Sequence, residues 1–155
     1  MIRNVIFDYG QVLCRSADPN VVESMGQMFG VDEAGFWQLY DRNREALDRG
    51  DLSPEEYWSK FASDTGITID DAQMRWLRKH DIEMWSRLNE DMIDWAETLR
   101  RAGHRTCILS NLNREFTAHL RATCDWVKRF DFQVFSSEIR KIKPDPEITD
   151  TACSF

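Results

Sequence analysis

Three stretches of the 155-residue chain end on side chains that could do chemistry. The apolar run "NVIF" stops at Asp8, "CIL" stops at Ser110 and Asn111, and "KIKPDPEI" carries Lys143 ahead of a proline. A carboxylate can attack an electrophile, a hydroxyl and an amide can hold anionic oxygens, and an ammonium can neutralise charge that builds up between them. Together they would suit a transfer reaction on an anionic group. Taken singly, each residue also has an ordinary structural role: Asp8 as a cap on the next turn, Ser110-Asn111 as a helix start, and Lys143 as a surface charge before a proline turn.

What could bring three distant stretches together is a parallel sheet, because ligands bind beyond the carboxyl ends of its strands. Residues 2–7 are largely apolar, as a strand covered on both faces is, and residues 105–109 and 132–135 read as two further strands. Apolar residues at three- and four-residue steps predict helices over 20–29, 32–47, 53–63 and 70–87, with Gly30, Gly50 and Gly66 as stops. Ser53-Pro54-Glu55-Glu56 has the form of a capped helix start. Helices over 91–102, closed by Gly103, and over 114–123 alternate with the later strands. This succession predicts an α/β fold, a Rossmann-like parallel sheet interrupted once, after its first strand, by a helical insertion. The aromatics of that insertion, among them Phe36, Trp37, Tyr40, Trp58 and Trp85, recur at helical spacing and are read as bundle core, a few of them free to line a pocket.

Bulk composition narrows the class. Hydrophobic residues make up 42% and charged residues 30%, with a net charge of −7, which fits a globular protein and argues against nucleic-acid and membrane partners. The basic residues Arg75, Arg78 and Lys79 lie three and four apart and are read as a solvated helix face. Cys14, Cys107, Cys124 and Cys153 form no CxxC pair and no zinc-like spacing, and the sequence opens with no signal peptide, so a reduced, cytoplasmic protein is expected. Structural roles are expected for His80, His104 and His119.

With those residues in view, "VIFDYGQVL", "CILSNLNR" and "KIKPDPEI" resemble the first three motifs of the haloacid dehalogenase-like superfamily. The order and separations are similar, and the likeness is nearest to the branch of small sugar-phosphate phosphatases with a helical cap. The resemblance implies a discontinuous, C-terminally truncated catalytic core over 1–14 and 89–155, with a cap domain over 15–88. It implies phosphate-monoester hydrolysis of a small phosphorylated metabolite through an aspartyl-phosphate intermediate. Asp8 would be the nucleophile. Lys143 would stand on the phosphate and on Asp8, Ser110 and the backbone amide of Asn111 would hold phosphoryl oxygens, and Mg2+ would be held by Asp8 and the carbonyl of Gly10.

Two departures from that pattern qualify the expectation. Most of these phosphatases carry a second aspartate two places after the nucleophile as general acid and base, and here Gly10 stands there. Their fourth motif, an acidic pair beyond the lysine, is not apparent in "EITDTACSF"; of the remaining nearby acids, Asp145 between two prolines reads as a helix cap, and neither it nor Asp150 is expected to hold the metal. The expectation that follows is a truncated or frame-altered version of a longer hydrolase, with the first strand as an apolar edge open to self-association. Two alternatives stand beside phosphatase activity. One is a catalytically silent module that binds a ligand or protein, and the other is a 2-haloacid dehalogenase, whose first motif typically has tyrosine where Gly10 stands.

Overall fold

A computed structural model describes residues 2–154. Strands β1 (Asn4–Phe7), β2 (Arg105–Ser110) and β3 (Phe132–Phe135) form one parallel sheet in the order β1-β2-β3. Phe7 stands opposite Ile108, and Ser110 stands opposite Phe135, so the carboxyl ends of all three strands lie on one rim. The α/β class expected from the alternating pattern is therefore the observed one.

Five helices follow β1: α1 (Pro19–Met28), α2 (Glu33–Arg42), α3 (Arg44–Arg49), α4 (Pro54–Thr65) and α5 (Asp71–Met84). The sequence predicts four. The single helix expected over 32–47 is broken at Asn43, whose backbone (φ −120°, ψ 11°) leaves the helical range between α2 and α3. Gly50 and Gly66 close α3 and α4 in the left-handed region, at φ 81° and 72°, as their positions predict. After α5 come α6 (Glu90–Arg101), β2, α7 (Arg114–Thr123), β3, α8 (Ser136–Ile139) and α9 (Pro146–Cys153). α8 lies in a segment assigned no element from the sequence, and of α9 only the cap at Asp145 was expected. Asp145 holds the cap position of α9 but its side chain makes no capping bond there. Arg75 and Lys79 are exposed, as expected of a solvated face, while Arg78 is half-buried and bridges Glu115 (2.7 Å) and Glu55.

Burial falls into distinct clusters. One joins the sheet to α6 and α7 through Phe7, Ile108, Phe116, Leu120 and Phe135, and another lies among α1 to α5 around Phe36, Leu47, Trp58, Phe61 and Met84. Each such side chain stabilises the fold by about 1.5–3 kcal/mol when fully buried. The chain passes between the two regions along paired segments. Cys14 bridges Leu88, Arg15 N–H donates to Arg87 O (2.7 Å) and Asn89 N–H donates to Leu13 O (2.9 Å). β1 is an edge strand of the sheet, and Ile6 within it and Ile2 just before it are exposed. Among the described residues no helix is long and apolar enough to cross a membrane.

The loop after β2 is fixed by a buried cap. Asn113 is 3% exposed, and its Oδ1 accepts the Phe116 N–H (2.9 Å) in the first turn of α7. Asn113→Ala is expected to lower unfolding stability by about 1–2 kcal/mol in urea titration, because that N–H is then left buried without a partner.

Candidate active site

At the end of β1 the chain turns sharply. Asp8 leaves the strand in extended geometry (φ −76°, ψ 158°), and the turn Tyr9–Leu13 is closed by Cys14 N–H donating to Tyr9 O at 2.9 Å. Within it Gly10 has φ −60° and ψ 125°, and Gln11 lies in the left-handed region at φ 59°, a strained placement for a non-glycine residue. Leu13 and Tyr9 anchor the turn in the core at 0% and 1% exposure. The Tyr9 hydroxyl donates to Trp85 O (2.8 Å), tying the turn to the end of α5, and burial pushes this phenol well above its usual value, so it stays a donor.

The three expected strand-end groups meet. Asp8 Oδ1 accepts the Ser110 hydroxyl (2.9 Å) and the Tyr9 N–H (2.8 Å), while Asp8 Oδ2 lies 2.5 Å from Lys143 Nζ. The same ammonium donates to Leu109 O (3.2 Å), which holds it over the end of β2. Asn111 acts by a route the sequence did not suggest. Its side chain clamps the backbone of Lys143, accepting from Lys143 N–H (2.7 Å) and donating to Lys143 O (3.1 Å). Ser110 is buried, whereas the side chains of Asp8 and Lys143 remain 42% and 28% exposed. The carboxylate is thus pinned by neutral donors on one oxygen and by a cation on the other, and it still faces solvent.

It faces a cleft of about 610 Å³, within the usual range for a small-molecule site. Gly10, Asn111 and Lys143 line the cleft with Asp8, and the opposite wall comes from α2, α3 and the end of α5. That wall carries a polar cluster of which the sequence reading singled out only Tyr40, as an aromatic of the bundle core. Arg44 pairs with Asp81 (3.1 Å) and Asp48 (3.1 Å) and also donates to the Tyr40 hydroxyl, which in turn donates to Asp81 (2.6 Å). Trp85 Nε1 donates to the same hydroxyl (3.1 Å), and the Arg44 guanidinium lies over the Tyr40 ring (4.7 Å). Ser136 Oγ, at the start of α8, donates to Asp48 O (2.6 Å), which packs α3 against the end of β3. The available signal was Tyr40, Arg44 and Asp48 at four-residue steps, which place them on one face if the helix is continuous.

Burial pushes the Asp48 carboxyl up from its usual 3.8 to about 6, although Arg44 pulls it down. Near pH 3 the group is protonated whether the chain is folded or not. As the pH rises through 6 the unfolded chain has already ionised, while the folded chain ionises only against burial, so this group's contribution to stability falls. Asp81 and Arg44 face it from α5 and α3, and Tyr40 and Tyr57 lie close by. Compared with Asp48→Asn, the wild type is expected to lose about 2 kcal/mol of relative stability between pH 4.5 and 7, read from urea unfolding of both proteins.

Among the described residues no group of three or more His, Cys, Asp or Glu side chains is placed to hold a metal ion. Magnesium is bound by one or two carboxylates together with water and substrate phosphate oxygens. A half-exposed carboxylate at Asp8, beside Gly10 in the cleft lining, suits such a minimal donor set.

The family model for haloacid dehalogenase-like hydrolases matches residues 2–154. Among solved structures, the chain is similar to a HAD family enzyme from Bacteroides thetaiotaomicron in complex with magnesium and inorganic phosphate, at 20% identity and TM-score 0.69, covering 97% of this chain and 77% of that one. It is similar to a protein from Porphyromonas gingivalis described as a predicted HAD-like family hydrolase, at 22% identity and TM-score 0.71, covering 97% and 74%. An L-2-haloacid dehalogenase from Xanthobacter autotrophicus with chloropropionic acid covalently bound aligns at 17% identity and TM-score 0.67, covering 97% and 63%. At these identities the likeness carries the fold alone. No curated protein matches the chain.

Proposed function

Since the chain belongs to the haloacid dehalogenase-like hydrolases, we propose that it hydrolyses the phosphate monoester of a small metabolite, with Asp8 as the nucleophile. The observation that carries this reading is the Asp8 carboxylate, held between the Ser110 hydroxyl and the Lys143 ammonium at the mouth of an open cleft. An anion attacking a phosphate dianion meets Coulomb repulsion, and a cation 2.5 Å from the attacking carboxylate offsets it.

In the first step an Asp8 oxygen forms a bond to phosphorus and the bond from phosphorus to the ester oxygen breaks. Ser110 Oγ and the backbone N–H of Asn111 receive phosphoryl oxygens, and Lys143 balances their charge. Water then attacks phosphorus, releasing inorganic phosphate and restoring the carboxylate. Gly10 has no side chain to protonate the departing alkoxide, so that proton comes from solvent, which favours esters with good leaving groups. Asp8 and the Gly10 carbonyl would hold magnesium, in keeping with the magnesium and phosphate bound by the Bacteroides enzyme. The ion would supply further positive charge at the phosphoryl group.

The helices over 15–88 serve in this reading as a cap that closes the cleft over the leaving group. Asp41, Tyr40 and Trp37 of α2 and Trp85 after α5 all line it. Cys14, Cys107, Cys124 and Cys153 are free thiols, which supports a reducing compartment, the cytoplasm. The testing experiment is release of p-nitrophenol from p-nitrophenyl phosphate with and without magnesium, alongside halide release from 2-chloropropionate. Magnesium-dependent phosphatase turnover without halide release is the expected result, and halide release alone would replace this reading with the dehalogenase.

A further inference from the structure

The far wall of the cleft says what kind of group leaves with the phosphate. It combines ring surfaces with an excess of negative charge. Trp37 and Trp85 are half-buried lining residues whose rings meet at 6.2 Å and 60°, and Tyr40 packs edge-on to Trp37 at 5.3 Å. Asp41 and Asp48 line the same wall, and Asp81 stands directly behind it on Arg44.

Arg44 is the one cation of that wall among the described residues, and it is already engaged. Asp48, Asp81 and the Tyr40 hydroxyl all contact it, and its side chain is only 16% exposed. Its charge is therefore compensated by its own neighbours, and it is a poor anchor for a carboxylate on the substrate. Asp48 adds the decisive feature. Its side chain is 9% exposed and lines the cleft, Arg44 Nε bonds to Oδ2 (3.2 Å) and lies 3.1 Å from Oδ1, and the backbone N–H of Asn113 bonds to the same carboxylate. Asp48 and Asp81 together outweigh the single charge of Arg44, so the wall keeps a net negative charge beside its aromatic faces, and a cation in the cleft would offset it.

Building on the phosphatase reading, we infer that the preferred substrates are phosphate monoesters of amino alcohols, whose cationic nitrogen is received by Trp37, Trp85, Asp41 and Asp48. The phosphate end is held by Lys143 and Ser110, and the ammonium end by ring faces and carboxylates on the opposite wall. A carboxylate-bearing phosphate would instead meet Asp41 and Asp48 with like charge.

The test uses the full chain with magnesium and pairs of substrates that differ in charge and little in shape. Phosphocholine is compared with 3,3-dimethylbutyl phosphate, and phosphoethanolamine with propyl phosphate; p-nitrophenyl phosphate serves as the reference and 3-phosphoglycerate as the carboxylate case. In at least one pair kcat/KM is expected to favour the cation by about tenfold or more. 3-Phosphoglycerate is expected to be the poorest substrate, and Asp41→Asn should narrow the preference. Hydrolysis of p-nitrophenyl phosphate with a ratio near one in both pairs overturns this inference and leaves the phosphatase reading standing. Absence of magnesium-dependent hydrolysis of every ester overturns that reading, and the inference falls with it.

Discussion

Asp8→Asn is expected to reduce magnesium-dependent phosphatase turnover by about 10⁴-fold or more while leaving the fold intact. The size of the loss follows from the role assigned to the residue: an amide cannot form the acyl phosphate, and no other described carboxylate is contacted by both the Ser110 hydroxyl and the Lys143 ammonium. The fold should survive because asparagine has nearly the same shape. Its side-chain oxygen can still accept from Ser110 and from the Tyr9 N–H, which Asp8 Oδ1 now does at 2.9 and 2.8 Å. Asp8 is also substantially solvent-exposed, so losing its ion pair with Lys143 has little effect on stability. Turnover and circular dichroism of the two proteins, measured side by side, check both halves. A variant that keeps more than a tenth of wild-type turnover would remove Asp8 from the chemistry.

Gly10→Asp is expected to act in the opposite direction and to raise turnover of alkyl phosphates by about 10²-fold. Gly10 has φ −60° and ψ 125°, a conformation open to any L-residue, and a Cβ built there meets no atom within 4 Å. The new carboxylate would enter the cleft lining two residues after the nucleophile, where it can give a proton to the departing alkoxide. The gain should depend on the leaving group. An alkoxide needs the proton and p-nitrophenolate does not, so the rate with p-nitrophenyl phosphate should change by less than about threefold. Equal gains on both substrates would mean that the variant acts through binding rather than proton transfer. No gain on either would show that the cleft does not present the ester oxygen to this position.

What the sequence disclosed, and what it hid, follows from the physics of each region. Asp8, Ser110 and Lys143 were legible because each interrupts or follows an apolar run of strand length, and a parallel sheet gathers such interruptions on one rim. Asn111 was legible as a site residue but not as a clamp, since its hydrogen bonds reach Lys143, 32 positions away. The break at Asn43 carries no glycine or proline to announce it, so α2 and α3 read as one helix.

The polar cluster on the far wall was hidden for a different reason. Tyr40, Arg44 and Asp48 at four-residue spacing look like an exposed helix face with one ion pair. Only the approach of Asp81 from α5, 37 residues from Arg44, turns that face inward and buries its charges. The short helix α8 was invisible as well. Its Ser136 is wholly buried and serves to tie the end of β3 to the loop at Leu112 (2.9 Å) and to Asp48.

The central claim is that a covalent bond forms between Asp8 and the phosphoryl group of the substrate, and chemical trapping tests it most directly. The wild-type protein is mixed with magnesium and a good phosphoryl donor, quenched in acid within the first turnover, and reduced with borohydride, which converts an aspartyl phosphate to homoserine. Mass spectrometry of the peptide spanning residues 4–14 should then find homoserine at position 8 in the complete reaction and aspartate there when donor is omitted. Full turnover with aspartate unchanged at position 8, or with the label on a different residue, would contradict the account.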